Sequence, residues 1–247
     1  MMQLYVVKNY EELSRKAAGI LSAQMILKPD SVLGLATGST PIRTYQLLIE
    51  ANQKGDIDFS KITTINLDEY QGLTADHEQS YRYYMNQHLF DHINIHKENT
   101  FVPDGTIMDS KKACKAHEDT IRHVGGIDLQ LLGIGGNGHI GFNEPCDFFP
   151  KETHVVALAQ ETRNANSRFF ASIDNVPTHA YTMGIRSIMS ARKILLLATG
   201  ESKAQALYDS LYGPITPQVP ASILQLHPDA TIIADEAAMS VIREVFQ

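Results

Sequence analysis

The chain has 247 residues, 43% hydrophobic and 20% charged, near the average for soluble globular proteins and unlike a disordered chain or a highly charged coiled coil. Its 16 glycines and 10 prolines lie far below collagen or low-complexity levels. With 21 Lys and Arg against 28 Asp and Glu, the net charge of −7 argues against non-specific nucleic-acid binding, which needs a basic surface, but leaves room for a cation or two in a cleft.

The predicted elements alternate along the chain. Residues 4–7 form a short β-rich run. Residues 10 to about 27 have helical spacing that stops before Pro29. Residues 32–36 read as a buried parallel strand. Thr37-Gly38-Ser39-Thr40-Pro41 breaks it, and a helix follows to about residue 52. A strand is predicted over 62–67, running into Asp68-Glu69-Tyr70. Helices are predicted over 80–90 and 110–124, and an apolar strand over 127–134. Residues 154–158 and 179–183 are β-like, and 193–198 is a strand. A helix from about 202 to 211, a strand over 231–234 and a helix from Glu236 complete the pattern. Strand, loop and helix in repetition predict an α/β fold with an open, mostly parallel sheet flanked by helices. No linker, fixed-period repeat or low-complexity segment divides the chain, so residues 1–247 read as one domain. Residues 144–183 are the least regular stretch and a candidate lid.

Cys114 and Cys146 have no CxxC spacing and make no disulfide framework, which favours a reducing cytoplasm. The first residues lack the basic and apolar regions of a signal peptide. No apolar run nears the ~18 residues of a membrane span. A soluble, cytoplasmic protein is expected.

In open α/β sheets, ligands bind beyond the carboxyl ends of the strands. Four such ends carry chemistry here. At the first, Gly38 permits a tight turn, Ser39 or Thr40 is expected to cap the next helix, and Pro41 suits its first turn. Backbone N–H groups and a helix dipole aimed at one point suit a phosphate, although the Walker A pattern is absent. At the second, Asp68 and Glu69 follow a buried strand; alternation lets only one face a given cleft, and a solvated or helix-capping acid is the bland alternative. The third is the most informative. Five glycines within the nine residues 133–141 surround Asn137 and His139, with Glu144 just beyond. His139 is suited to proton transfer near neutral pH, and Glu144 to holding its ring. The Gly133–Gly138 match to GxGxxG is weak, because it lies mid-chain and no helix follows at once. At the fourth, Lys203 sits in a first helical turn, against the dipole preference, a conflict that a bound anion removes. Arg163 and Arg168 are further cationic candidates. His88, His92 and His96 fall at i, i+4 and i+8, but the helix is expected to end near Asp91 and Asn94, so they read as solvated rather than as metal ligands. Tyr81, Tyr83 and Tyr84 read as packing residues.

Asn66-Leu67-Asp68-Glu69-Tyr70, Gly138-His139-Ile140-Gly141-Phe142-Asn143-Glu144-Pro145, Arg163-Asn164-Ala165-Asn166-Ser167-Arg168-Phe169-Phe170 and Leu224-Gln225-Leu226-His227-Pro228 resemble, in order, the motifs of the glucosamine-6-phosphate deaminase family. The related 6-phosphogluconolactonases share the fold and a Gly-His loop but usually lack Phe-Asn-Glu-Pro; a lactonase or other sugar-phosphate isomerase is the alternative. The resemblance implies a Rossmann-like fold and conversion of glucosamine 6-phosphate and water to fructose 6-phosphate and ammonia, with no metal or organic cofactor. It implies that Asp68 is the enolisation base and that His139 opens the ring, assisted by Glu144 and Asn137. Thr37, Gly38, Ser39, Thr40, Arg168 and Lys203 would hold the phosphate. The implied partner is the small substrate, with no nucleic acid and no membrane; monomer and homo-oligomer both remain open.

Two departures bear on function. Some members have Asp where this chain has Asn137; an amide orients His139 by a hydrogen bond but exerts less pull on its proton affinity. Larger members bind N-acetylglucosamine 6-phosphate at a basic subunit-interface site, helped by a longer C-terminus. Here the corresponding run, Glu152-Thr153-His154-Val155-Val156, offers one titratable cation and the chain stops at Gln247, so little or no activation is expected.

Overall fold

The apolar runs pair into a seven-stranded sheet in a computed structural model that describes residues 2–158, 172 and 176–245. Its strands are β1 (Gln3–Val7), β2 (Val32–Leu35), β3 (Thr63–Asn66), β5 (Thr100–Phe101), β6 (Leu129–Gly133), β9 (Lys193–Ala198) and β10 (Ala230–Asp235). They lie in the order β1-β10-β9-β6-β2-β3-β5, and every pair is parallel. A second, antiparallel sheet joins β4 (Asp68–Tyr70), β8 (His179–Thr182) and β7 (His154–Ala157) in the order β4-β8-β7.

Period-two alternation sends successive residues of each central strand to opposite faces. Leu33, Leu35, Leu131, Leu195 and Leu197 pack on α1 (Tyr10–Leu27), α2 (Ile42–Lys54) and α3 (Tyr81–His88) through Leu13, Tyr45, Leu48 and Met85. Val32, Ile65, Leu132, Ile194 and Leu196 face the other way. They meet Ile121 of α4 (Ser110–His123), Ile188 of α5 (Ile185–Met189), Leu207 of α6 (Ala204–Tyr212) and Ile242 of α7 (Ser240–Val245). With both faces covered, each buried Leu or Ile contributes about 1.5–3 kcal/mol, which is why these strands read as unbroken apolar runs.

The order sets the site. From β2 the chain adds β3 and β5 on one side, then returns to place β6, β9 and β10 on the other. The loops leaving β2 and β6 therefore diverge from adjacent strands, the arrangement that opens a ligand crevice.

Three local expectations are corrected. The strand predicted over 62–67 does not simply run out into a loop. It breaks at Leu67, whose carbonyl accepts the Met183 N–H at 2.7 Å, and the chain restarts as β4 in the other sheet. Neither Ser39 nor Thr40 caps α2; Pro41 takes the cap position with helical backbone (φ −81°, ψ −7°) and no side-chain bond. The last helix begins at Ser240, not Glu236, because Asp235 at the end of β10 receives the Ala238 N–H at 2.8 Å and holds residues 236–239 in turns.

Candidate functional site

The loop after β2 is tied down by phenols. Tyr84 Oη donates to the Gly38 carbonyl at 2.6 Å, Tyr10 Oη to that of Ser39 at 3.1 Å and Tyr45 Oη to that of Ala36 at 2.6 Å. Gly38 takes the left-handed φ of +95° that its lack of a Cβ allows. The backbone N–H groups of Thr37, Gly38, Ser39 and Thr40 donate to no acceptor among the described residues. A tethered loop with unclaimed donors has the chemistry to cradle an anion.

After β3 the two adjacent acids separate, as alternation demands. Glu69, 2% exposed, accepts backbone N–H bonds from Tyr70 (2.8 Å), Tyr81 (2.9 Å) and Arg82 (3.0 Å). It closes the first turn of α3 and is structural. Asp68, 6% exposed, receives no hydrogen bond from any described residue. Its Oδ2 lies 3.7 Å from where a Cβ on Gly141 would stand, so it abuts the loop carrying His139. Burial, with the neighbouring Glu69 charge second, pushes the Asp68 carboxyl up to about 8. Burial raises Glu69 to about 7, against the pull of its three N–H donors.

The loop after β6 folds around an imidazole. His139 Nδ1 lies 2.7 Å from Asn137 Oδ1 and 3.2 Å from Glu144 Oε1, and Asn137 Nδ2 donates to Glu144 Oε2 at 2.7 Å. Because the Asn137 amide nitrogen is claimed by a carboxylate, its oxygen must face the ring, which makes Nδ1 the protonated nitrogen and leaves Nε2 with the lone pair. Burial raises the Glu144 carboxyl, but the His139 ring and the Asn137 amide outweigh it and hold the group below its ordinary value. Glycines make the space. A Cβ on Gly135 would overlap the His139 ring, and one on Gly138 (φ +83°) would stand 2.7 Å from Val219 Cγ1. Asn143, 1% exposed, fastens the loop to the second sheet by donating from Nδ2 to the Ile140 and Met183 carbonyls, both at 2.9 Å.

After β9, Asp235 accepts the Gly200 N–H at 3.0 Å and the Thr199 hydroxyl. The turn Glu201–Lys203 leads into α6, and Lys203 is its cap residue. Lys203 is half-buried and has no carboxylate partner among the described residues; burial alone lowers its ammonium below the ordinary value. The Ser202 carbonyl stands 3.5 Å from where a Gly136 Cβ would be, so this loop abuts that of β6.

The described residues thus place Thr37, Gly38, Ser39, Thr40, Asp68, Asn137, His139, Glu144 and Lys203 after the four adjacent strands β9, β6, β2 and β3. Arg163 and Arg168 lie outside the described residues. His88, His92 and His96 do not converge: His88 packs on the Tyr84 ring, His92 Nε2 lies 2.9 Å from the Gln87 carbonyl and His96 is exposed beside Glu98. Among the described residues no group of three or more His, Cys, Asp or Glu is placed to hold a metal ion. Sequence reasoning missed Thr182, whose Oγ1 accepts the Phe142 N–H at 3.0 Å, and the three phenols behind the first loop. Only spacing relative to Gly38 could have signalled Tyr10, Tyr45 and Tyr84, and nothing in the local sequence marks Thr182.

Comparison with known proteins adds to this geometry. A family model described as glucosamine-6-phosphate isomerases/6-phosphogluconolactonase matches residues 9–233. A glucosamine-6-phosphate deaminase of Lachnoclostridium phytofermentans is 60% identical over 232 residues, covering 94% of this chain and 98% of the relative. One of Clostridium perfringens is 51% identical over 242 residues, covering 98% and 100%. The solved structure of a monomeric glucosamine-6-phosphate deaminase superposes with a TM-score of 0.93 at 48% identity, covering 97% of this chain and 100% of that one. A 6-phosphogluconolactonase from Trypanosoma brucei shares the fold, with a TM-score of 0.75 at 19% identity, covering 98% and 99%.

Proposed function

The chain belongs to the glucosamine-6-phosphate isomerase/6-phosphogluconolactonase family, and from that premise we infer that it converts glucosamine 6-phosphate and water to fructose 6-phosphate and ammonia. One observation carries the assignment of roles: a buried carboxyl with no donor among the described residues, Asp68, abuts the loop of an imidazole–amide–carboxylate group, His139, Asn137 and Glu144.

The chemistry follows from what each group has free. We assign the phosphate to the N–H groups of residues 37–40 and the ammonium of Lys203, with Arg168 added on the strength of the family resemblance. Anchoring there turns remote binding energy into orientation at C1 and C2. A closed pyranose cannot enolise, so the ring opens first. His139 Nε2 takes the anomeric hydroxyl proton and passes it to the ring oxygen, while Asn137 and Glu144 steady the imidazolium formed in between. The aldehyde then acidifies the C2 proton. Asp68 removes it as O1 takes a proton from the substrate ammonium, giving a neutral enolamine; protonated Asp68 then delivers its proton to C1, leaving an iminium at C2. Water adds to C2, and the carbinolamine loses ammonia. A carboxyl that burial has made basic suits this step, and the substrate ammonium brings it back toward its ionised form.

The test is direct. Purified protein incubated with glucosamine 6-phosphate is expected to release ammonia and fructose 6-phosphate in equal amounts, with no hydrolysis of 6-phosphogluconolactone measured alongside. Lactone hydrolysis without ammonia would move the chain to the other branch of its family.

We further propose a cytoplasmic location, supported by the unpaired Cys114 and Cys146; no helix among the described residues is long and apolar enough to cross a membrane. N-acetylglucosamine 6-phosphate is not expected to activate the enzyme. In the run 152–156 the one titratable cation is His154, and burial lowers its proton affinity, so the ring is neutral at physiological pH. Its Nδ1 is also engaged with the Glu152 carbonyl at 3.0 Å. At subsaturating substrate, added effector should change the rate by less than about twofold; a several-fold rise refutes the proposal.

A further inference from the structure

Phe142 lies between His139 and Glu144 in sequence, yet its contacts run to the strand of Asp68. Its ring stacks on Tyr81 (centroids 6.1 Å apart, planes 10° apart) and meets Tyr70 at 6.1 Å and 44°. Tyr70 and Tyr81 meet at 4.8 Å, and the Tyr81 hydroxyl donates to that of Tyr70 at 3.3 Å. Tyr70 is two residues beyond Asp68 on β4. Tyr81 opens α3, and its N–H is held by Glu69. The main chain of Phe142 makes the same connection. Its N–H donates to Thr182 Oγ1, and Thr182 stands opposite Asp68 in the β4–β8 register. Its carbonyl accepts the Glu144 N–H at 3.0 Å. One residue therefore joins three parts: the loop of the proton shuttle, the strand of the base, and the helix packed beside that strand. The nearby Asp68 charge adds to the effect of burial in raising the Tyr70 phenol, to about 12, and the Tyr81 phenol, so both rings lie within electrostatic reach of the carboxyl.

We propose that Phe142 is a positioning residue for the deamination, fixing the Asp68 strand against the His139 loop and keeping water from the base; this rests on the function inferred above. Aromatic pairs at these separations favour a defined geometry. A misplacement of about 1 Å between base and substrate costs about 10²-fold in rate. Among the described residues none donates to Asp68, so its place is set by what packs around it.

The experiment compares wild type with Phe142→Ala, Phe142→Leu and Phe142→Tyr, using glucosamine 6-phosphate and its C2-deuterated form. Phe142→Ala is expected to lower kcat about 10- to 100-fold with KM within about twofold. The C2 isotope effect should rise, because proton abstraction becomes slower relative to ring opening. The acid limb of kcat/KM should move down by about one pH unit as water reaches the carboxyl. Phe142→Leu should move the same readouts the same way by less, and it carries the test if the Ala protein fails to fold. Phe142→Tyr keeps the ring and should restore the isotope effect and the pH limb. A rate loss with isotope effect and pH limb unchanged, or no loss at all, overturns the proposal alone. Absence of ammonia release by wild type overturns the functional reading and this proposal with it.

Discussion

Asp68→Asn is expected to lower kcat by about 10²–10⁴-fold, the range for loss of a general base, with KM within about threefold. It is also expected to raise the melting temperature at pH 8. Both follow from the same carboxyl. Asp68 is 6% exposed and has no donor among the described residues, and burial raises its pKa to about 8 from an ordinary 3.8. Between those values the folded chain keeps a proton that the unfolded chain has lost. The group's contribution to stability is therefore complete below about pH 4 and disappears as pH rises through about 8. An amide of the same shape does not ionise, so the gap between variant and wild type should be small near pH 4 and widen toward pH 8. Each kcal/mol of that gap corresponds to about 2–4 °C in a chain of this size. Scanning calorimetry at both pH values measures it, and a gap that does not change with pH contradicts a buried, raised carboxyl. A rise in KM with kcat intact would remove Asp68 from the role of base.

The same value predicts the pH dependence of the wild-type rate. For free enzyme, kcat/KM should climb as pH rises toward about 8, because only ionised Asp68 accepts the C2 proton. In the complex the substrate ammonium stands near the carboxylate and favours its charged form, so the limb of kcat should lie at lower pH than that of kcat/KM. Coincident limbs would mean that a group other than Asp68 governs both.

The parts of this site visible in the sequence are those that local chemistry decides. The run Ile194-Leu195-Leu196-Leu197 reads as a strand because both its faces are buried, and period-two alternation already says that Asp68 and Glu69 cannot share one cleft. Which of the two faces the cleft is settled by α3, whose first N–H groups need an acceptor and take Glu69. That is a tertiary fact. The break at Leu67 is equally invisible, because β4 finds its partner β8 more than a hundred residues away. The cap of α2 departs from the local expectation for another tertiary reason: Ser39 and Thr40 are good cap residues, but the loop is held by phenols from three helices, and Pro41 begins the helix without them. Residue chemistry marks His139 as a proton carrier and Glu144 as its support, while the ring-opening step and the part of Asn137 come from family resemblance. Their spacing alone leaves open which atoms meet, and only the fold brings Asn137 Oδ1 and Glu144 Oε1 to the same ring nitrogen.

Gly135→Ala tests the other half of the reaction with one methyl group. Gly135 does not adopt a positive φ, so the backbone accepts alanine without strain. The obstacle is the imidazole. The added Cβ would overlap Cε1 and Nδ1 of His139 and stand 2.5 Å from Nε2. The ring must swing away, and the 2.7 Å contact to Asn137 and the 3.2 Å contact to Glu144 cannot both survive. With the imidazole displaced by an ångström or more, kcat should fall about 10²-fold or further, while the melting temperature moves by less than about 3 °C. Gly19→Ala in α1 is the control: nothing lies within 4 Å of its Cβ position, and activity should match wild type. The isotope effect separates this lesion from one at the base. If His139 opens the ring, Gly135→Ala makes opening the slow step, and the C2-deuterium effect should shrink toward one, opposite to the rise expected for Phe142→Ala. A growing C2 effect in Gly135→Ala would place His139 in the enolisation step and leave ring opening without its proton carrier.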